Sequence, residues 1–362
     1  MRIVLDYFDA MLSGIFGKRC TPKKSLKAEG YLFGRPFAAT LDDPLAVHLL
    51  THADHKEVID LFSKYSAMPL DTTTLIEIAQ NYSMDVATLY FLQRAYYLPQ
   101  NNLAQKQYLA YLDKLKTKNA NDLVTPLKDF YVVFVPGLNY HDTSNGGDFA
   151  KQRKLLLDFG VKNELIQTGN WGFTNVNAEI IAGRLKELSQ QYENIIVVSA
   201  SKGGLETAIT LGRLLKPEEI KPVKAWVSVG GILKGSPVAD KYLTWPKCWI
   251  AEIGLLFVRQ NINLVRDVSY SKRQKDFSSL KFPEHIKRIH FVGAPLSTQI
   301  HKRIKSTYCS IKGFGPNDGI TPIADETTED GIIVSELGFD HYYQHPEIDK
   351  KTIALALTVI HN

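Results

Sequence analysis

Asn194-Ile195-Ile196-Val197-Val198-Ser199-Ala200-Ser201-Lys202-Gly203-Gly204 is the stretch on which the reading of this chain turns. Ile195 to Val198 form an unbroken apolar run, the pattern of a strand buried on both faces. Small residues then make a tight turn with Ser201 at its apex, and Leu205 to Leu215 follows with helical character. A serine on a sharp strand-to-helix turn is a nucleophile elbow, usually written Gly-x-Ser-x-Gly. Here the residues are Ser199-Ala200-Ser201-Lys202-Gly203, with serine in place of the first glycine. The requirement is steric. Strand and helix crowd together at the turn, so positions two away from the apex must lack bulk, and serine meets that need as glycine does.

The flanking sequence repeats the strand–helix rhythm. Phe130–Val135 is a continuous apolar run ending at Pro136-Gly137, and Glu164–Thr168, Val223–Val229, Arg288–Val292 and Ile332–Ser335 read as further strands. Residues 178–192 carry helical spacing at Ile181, Leu185, Leu188 and Tyr192. Strands alternating with helices predict an α/β architecture, a mainly parallel sheet covered on both faces. Residues 1–127 read instead as a mostly helical N-terminal region. Asp43-Pro44 and Asp71-Thr72-Thr73-Thr74 open helices, Asp85 opens a third through Tyr96, Gln105–Leu115 is a fourth, and 116–121 is a polar linker. The expected division is therefore 1–127 and 128–362. Between two sheet strands, Cys248–Val258 is apolar with one charge. It reads either as part of a helical cap inserted over 241–286 or as one long helix with a longer loop.

Composition bounds the function. At 44% apolar and 22% charged, the 362 residues are those of an ordinary soluble globular chain, and a net charge of +5 is far from a nucleic-acid signature. Cys20, Cys248 and Cys309 are odd in number and widely spaced, which argues against a disulfide framework or zinc site and fits a reducing compartment. No apolar run reaches the ~18 residues of a membrane-spanning helix. Asp6 and Asp9 interrupt Ile3–Phe16, and Lys18-Arg19 follows that stretch instead of preceding it, unlike a signal peptide. A cytoplasmic location is expected, with export by a route lacking a cleaved signal as the alternative. Val4, Phe8, Met11, Leu12 and Ile15 have helical spacing and a basic flank follows. They read either as a first helix packed on the core or as an interfacial helix giving peripheral membrane contact. No metal or cofactor is expected.

A serine hydroxyl needs a base, and the base needs an orienting carboxylate. In a strand–elbow–helix fold the acid and then the histidine follow the serine on later loops. Gly313–Pro322 is dense in turn residues with Asp318 at its middle, and Gly338-Phe339-Asp340-His341-Tyr342 puts a histidine on another loop. Ser201, Asp318 and His341 are thus the candidate triad, with Asp325 and Asp340 as rival acids and His345 as rival base. The oxyanion of the transition state needs preorganised donors. One is the backbone amide of Lys202. The other is expected from Pro136-Gly137-Leu138-Asn139-Tyr140-His141, at the Leu138 or Asn139 amide, where Gly137 allows close approach.

With these residues in place, the chain resembles the α/β-hydrolase superfamily, and within it the bacterial lipase and esterase branch. Gly235-Ser236-Pro237-Val238-Ala239-Asp240 looks like the Gly-Ser/Thr-x-x-Ala-Asp segment of those lipases, and Asn317-Asp318-Gly319 and Asp340-His341 are similar to their acid and histidine loops. The resemblance covers about residues 128–362. It implies hydrolysis of a small-molecule or lipid acyl ester through an acyl-enzyme on Ser201, with His341 as base then acid and Asp318 orienting it. Thioester hydrolysis, amide hydrolysis and acyl transfer use the same machinery. Three positions depart from the pattern: Ser199 at the first elbow glycine, Lys202 where lipases carry His or Gln, and Leu138-Asn139 where they often carry His-Gly. The N-terminal region has no counterpart in this resemblance. Its residues 71–97 have the rhythm of a helix-turn-helix, but Asp71, Glu77 and Asp85 against Arg94 oppose phosphate contact, so a packed helical hairpin without nucleic acid is expected.

Overall fold

The computed structural model describes residues 25–117, 120–142, 146–257 and 260–361. The apolar stretch 3–16 lies outside the described residues. Among the described residues, β1 (Leu26–Leu32) and β2 (Arg35–Leu41) pair antiparallel. The main sheet holds β3 (Tyr131–Val135), β4 (Asn163–Leu165), β5 (Ile195–Ala200), β6 (Val223–Val229), β7 (Lys287–Ala294) and β8 (Ile332–Leu337). Their spatial order is β4-β3-β5-β6-β7-β8, and every neighbouring pair is parallel.

The continuous apolar runs follow from burial on both faces. Side chains alternate along a strand, so Val132, Phe134, Ile196 and Val198 enter one core with the helices Pro99–Lys114 and Ile348–His361. Val133, Val135, Ile195 and Val197 enter the other with the helix Thr174–Ser189. Each aliphatic side chain withdrawn from water in this way contributes about 1.5–3 kcal/mol. The strand carrying the elbow is thereby a rigid central element.

The N-terminal region differs from expectation at residues 26–41, which form a hairpin and not a helix. Gly30, Gly34 and Pro36 are poor helix residues. Phe33 and Gly34 take φ of 54° and 76° as the loop between Leu32 and Arg35, the two positive values that a tight hairpin turn requires. Asp43 and Asp71 do cap helices, accepting the Leu45 and Thr74 amides at 2.8 and 2.9 Å. The next helix begins at Met84, capped by Ser83. Asp85, expected to open it, is instead buried within its first turn, accepting from the Asp42 and Ser297 amides.

Residues 84–92 of this helix are all buried, so the second helix of the helix-turn-helix rhythm is packed into the core. The helix Pro99–Lys114 covers the edge of β8: Asn101 Oδ1 and Gln105 Oε1 accept the Ile333 and Ser335 amides, each at 2.9 Å. Side chains one helical turn apart thus complete an edge that would otherwise be open for pairing. Residues of the N-terminal region share continuous cores with the sheet.

Between β6 and β7 the chain forms the helices Pro237–Tyr242, Lys247–Phe257, Ile262–Asp267 and Tyr270–Phe277. Cys248 is free, whereas Cys309 is disulfide-bonded, contrary to the expectation drawn from cysteine number and spacing. Among the described residues no helix is long and apolar enough to cross a membrane.

Candidate active site

Ser201 has φ 52° and ψ −123°, a conformation that costs a non-glycine residue of order 1–3 kcal/mol. The surrounding backbone imposes it. The Ser201 amide donates to Val229 O at 3.1 Å, and its carbonyl accepts from Gly204 at 3.0 Å and Ile232 at 3.1 Å. A Cβ at Gly203 would collide with the Pro136 carbonyl, so that position admits only glycine. Ser199 faces the opposite situation. It is fully buried, and its hydroxyl accepts the indole N–H of Trp226 at 2.8 Å. The serine that replaces the expected glycine therefore satisfies a buried donor on the next strand.

Ser201 Oγ lies 2.8 Å from His341 Nε2, and His341 Nδ1 lies 2.5 Å from Asp318 Oδ2. Asp318 is fully buried, and its other oxygen accepts the amides of Ile320 and Thr321, each at 2.8 Å. The Asn-Asp-Gly turn thus aims one carboxylate oxygen at its own backbone and leaves the other for the imidazole. Burial pushes the His341 pKa down, but the charge and hydrogen bond of Asp318 outweigh it, and the value lies above the usual 6.5. Hydroxyl, imidazole and carboxylate in this series can move the serine proton to the imidazole and stabilise the cation that results.

The rivals are engaged elsewhere. Asp325 pairs with Lys234 at 2.8 Å and accepts from Tyr270 at 2.9 Å. Asp340 accepts the His301 and Tyr342 amides. His345 Nδ1 accepts the Glu347 amide, and burial followed by the Lys351 charge lowers its pKa. Glu326 is fully buried near the site, with Tyr343 OH 3.4 Å from its Oε2, and burial followed by the Asp318 charge pushes its carboxyl well above the usual carboxylate range.

Gly137 brings the loop after β3 against the elbow: a Cβ there would sit 3.4 Å from Ser201 Cβ. Leu138 follows on that loop, and Lys202 begins the helix after the nucleophile. The Asn139 amide donates to the Asn170 carbonyl at 3.0 Å and is committed there, which leaves Leu138 as the candidate backbone donor of this loop. The Lys202 side chain is buried and pairs with Glu206. Neither Asn170 nor Glu206 was picked out from sequence. The Lys202–Glu206 spacing of four on a helix was the available signal.

A cavity of about 1150 Å³ opens on Ser201 and His341. Val238, Ala239, Leu255, Leu264, Val265 and Val268, from the segment between β6 and β7, form an apolar wall. Among the described residues, His48, His55 and Glu57 bring possible metal ligands within 4.8 Å of one another. The two rings are stacked at 3.8 Å and 7°, and in-plane lone pairs on stacked rings do not converge on one ion.

No protein-family model matches the chain. No curated protein matches it either. Among solved structures it is similar to a metagenomic carboxyl esterase, MGS0156, at 18% identity over 64% of this chain and 75% of that one, with a TM-score of 0.51. It is likewise similar to the Bacillus licheniformis lipase BlEst2 in mature form, at 20% identity over 62% of this chain and 89% of that one, with a TM-score of 0.50. At these identities the likeness is one of fold.

Proposed function

We propose that this chain, which has the α/β-hydrolase fold, is a serine hydrolase that cleaves acyl esters through an acyl-enzyme on Ser201. One observation carries the reading: the Ser201–His341–Asp318 series sits at a strained elbow that opens into an apolar cavity. His341 takes the Ser201 proton as Oγ attacks the ester carbonyl. The Leu138 and Lys202 amides receive the oxyanion, and His341 returns the proton to the leaving alcohol. Water then enters by the same route in reverse, releasing the acid. Asp318 keeps the proton on Nδ1, so that Nε2 remains the acceptor.

The helices between β6 and β7 act as a cap whose aliphatic wall receives the acyl chain. Cavities of this kind bind through apolar walls and a few placed polar groups. The esterase and lipase activities named for the two solved structures agree with this assignment.

A fluorophosphonate probe tests the reading: wild type is labelled covalently and Ser201→Ala is not. Equal labelling of both proteins would remove Ser201 from the mechanism. A panel of p-nitrophenyl esters of rising acyl length then reads the acyl preference.

A further inference from the structure

Lys202 is buried beside the nucleophile, although nothing in acyl transfer requires a cation there. Its Nζ donates to the Gly172 carbonyl at 2.9 Å and pairs with Glu206 one turn along the same helix. Glu206 accepts from Asn177 Nδ2 at 2.8 Å. Asn177 in turn holds both the N–H and the carbonyl of Gly169, at 2.9 and 3.1 Å. Segment 169–172 is therefore tied to the helix that begins after Ser201 directly at Gly172, through Lys202, and indirectly at Gly169, through Asn177 and Glu206. It packs so closely that a Cβ at Gly172 would collide with the Asn177 carboxamide.

Between these ties, Asn170 grips the loop on the other side of the nucleophile. Its carbonyl accepts the Asn139 N–H at 3.0 Å, its Nδ2 donates to Asn139 Oδ1 at 3.1 Å, and its Oδ1 accepts the His141 N–H at 3.0 Å. Asn139 has φ of 56°, the left-handed region that asparagine tolerates better than most residues, and its contacts with Asn170 pin that turn. The loop presenting Leu138 is thus held by a segment that the elbow helix itself holds.

We propose that Lys202, Glu206, Asn177 and Asn170 are positioning residues, a relay that fixes the Leu138 amide relative to the Lys202 amide. The proposal rests on the reading of Ser201 as an acyl-transfer nucleophile. Oxyanion donors act by being aimed before the reaction, and a misplacement of about 1 Å costs on the order of 100-fold in rate. The relay supplies that aim, and it accounts for a lysine at the position after the nucleophile. The buried Lys202–Glu206 pair is not left bare, since Gly172 and Asn177 supply further hydrogen bonds to its two ends.

The test uses the full chain and the variants Asn170→Ala, Lys202→Met, Lys202→Arg and the Asn170→Ala/Lys202→Met double. The readouts are kcat and KM on a p-nitrophenyl ester, affinity for a boronic acid that forms a tetrahedral adduct on Ser201, and melting temperature. Asn170→Ala, at a half-buried loop position, should lower kcat by about 10–100-fold while KM changes by less than about twofold, with boronate affinity falling in step. Lys202→Met should show the same split, with partial rescue by Lys202→Arg. The double should fall no more than about twofold below the worse single, because both act through one chain of contacts.

Unchanged kcat and boronate affinity in Asn170→Ala would overturn the relay, even if Lys202→Met does not fold. So would single-variant losses that multiply in the double, or a Lys202 variant that loses only melting temperature. An unlabelled wild type, or a labelled Ser201→Ala, would instead sink the hydrolase reading, so the two failures are distinguishable.

Discussion

Replacing Asp318 with asparagine probes the proton path directly. The carboxylate divides its work: Oδ1 takes two backbone amides at 2.8 Å each, and Oδ2 faces His341 Nδ1. In Asp318→Asn the single carboxamide oxygen should stay with the two amides, because flipping it would leave both donors facing an NH2 group, at about 1–3 kcal/mol each. The NH2 then faces His341 Nδ1 and forces that nitrogen to accept. The imidazole proton moves to Nε2, where it points at Ser201 Oγ, and the base is lost. Recovering the active tautomer sets N–H against NH2 in a buried site, a penalty of about 4–5.5 kcal/mol, or roughly 10³–10⁴ in kcat/KM. A second signature accompanies the loss. With the Asp318 charge gone, burial is the dominant influence and should pull the His341 pKa down, so the acid limb of residual activity moves to lower pH. The assay is kcat/KM for a p-nitrophenyl ester as a function of pH, with circular dichroism to confirm folding. A folded variant within about tenfold of wild type, or one with an unshifted acid limb, would refute the role argued for Asp318.

Other substitutions test the remaining parts. In wild type, ester turnover should rise with pH through a midpoint above 6.5, because Asp318 holds the His341 pKa above that value; a midpoint at or below 6.5 contradicts it. By the same shift, His341 contributes stability that is fully present below its unfolded pKa of about 6.5 and is lost as pH rises through the higher folded value, which urea titrations across that window would detect. Ser199→Ala should destabilise by about 1–3 kcal/mol by stranding the buried Trp226 N–H, with activity per folded molecule retained; an unchanged urea midpoint would refute the role given to that hydroxyl. Asn101→Ala should likewise cost about 1–3 kcal/mol, since Ile333 N–H on the β8 edge loses its acceptor, and hydrogen exchange at Ile333 should accelerate.

Much of the architecture was legible because it depends on local pattern. Predominantly apolar runs at Tyr131–Val135, Ile195–Ala200 and Val223–Val229 mark strands covered on both faces, whatever covers them. Asp43 and Asp71 announce helix starts because a carboxylate there accepts nearby amides. The hairpin at 26–41 carries a weak local signal because its turn is Phe33-Gly34, without the asparagine or aspartate that usually marks one. Asp85 has the local pattern of a helix start, but its partner Ser297 lies 212 residues away, and no local pattern reports such a pairing.

The sequence by itself determined the elbow, the order of serine, acid and histidine, and the small residues that let strand and helix approach. Those properties reside in neighbouring residues and in chain order. Only the tertiary structure decided that Asp318 stands at His341 while Asp325 turns to Lys234 and Tyr270 and Asp340 to backbone amides. It also decided that Asn170 joins the loop at Asn139 to the segment held by Lys202. Carboxylates and amides have short reach and many eligible partners, so which contact forms is set by the packing that brings distant loops within about 3 Å.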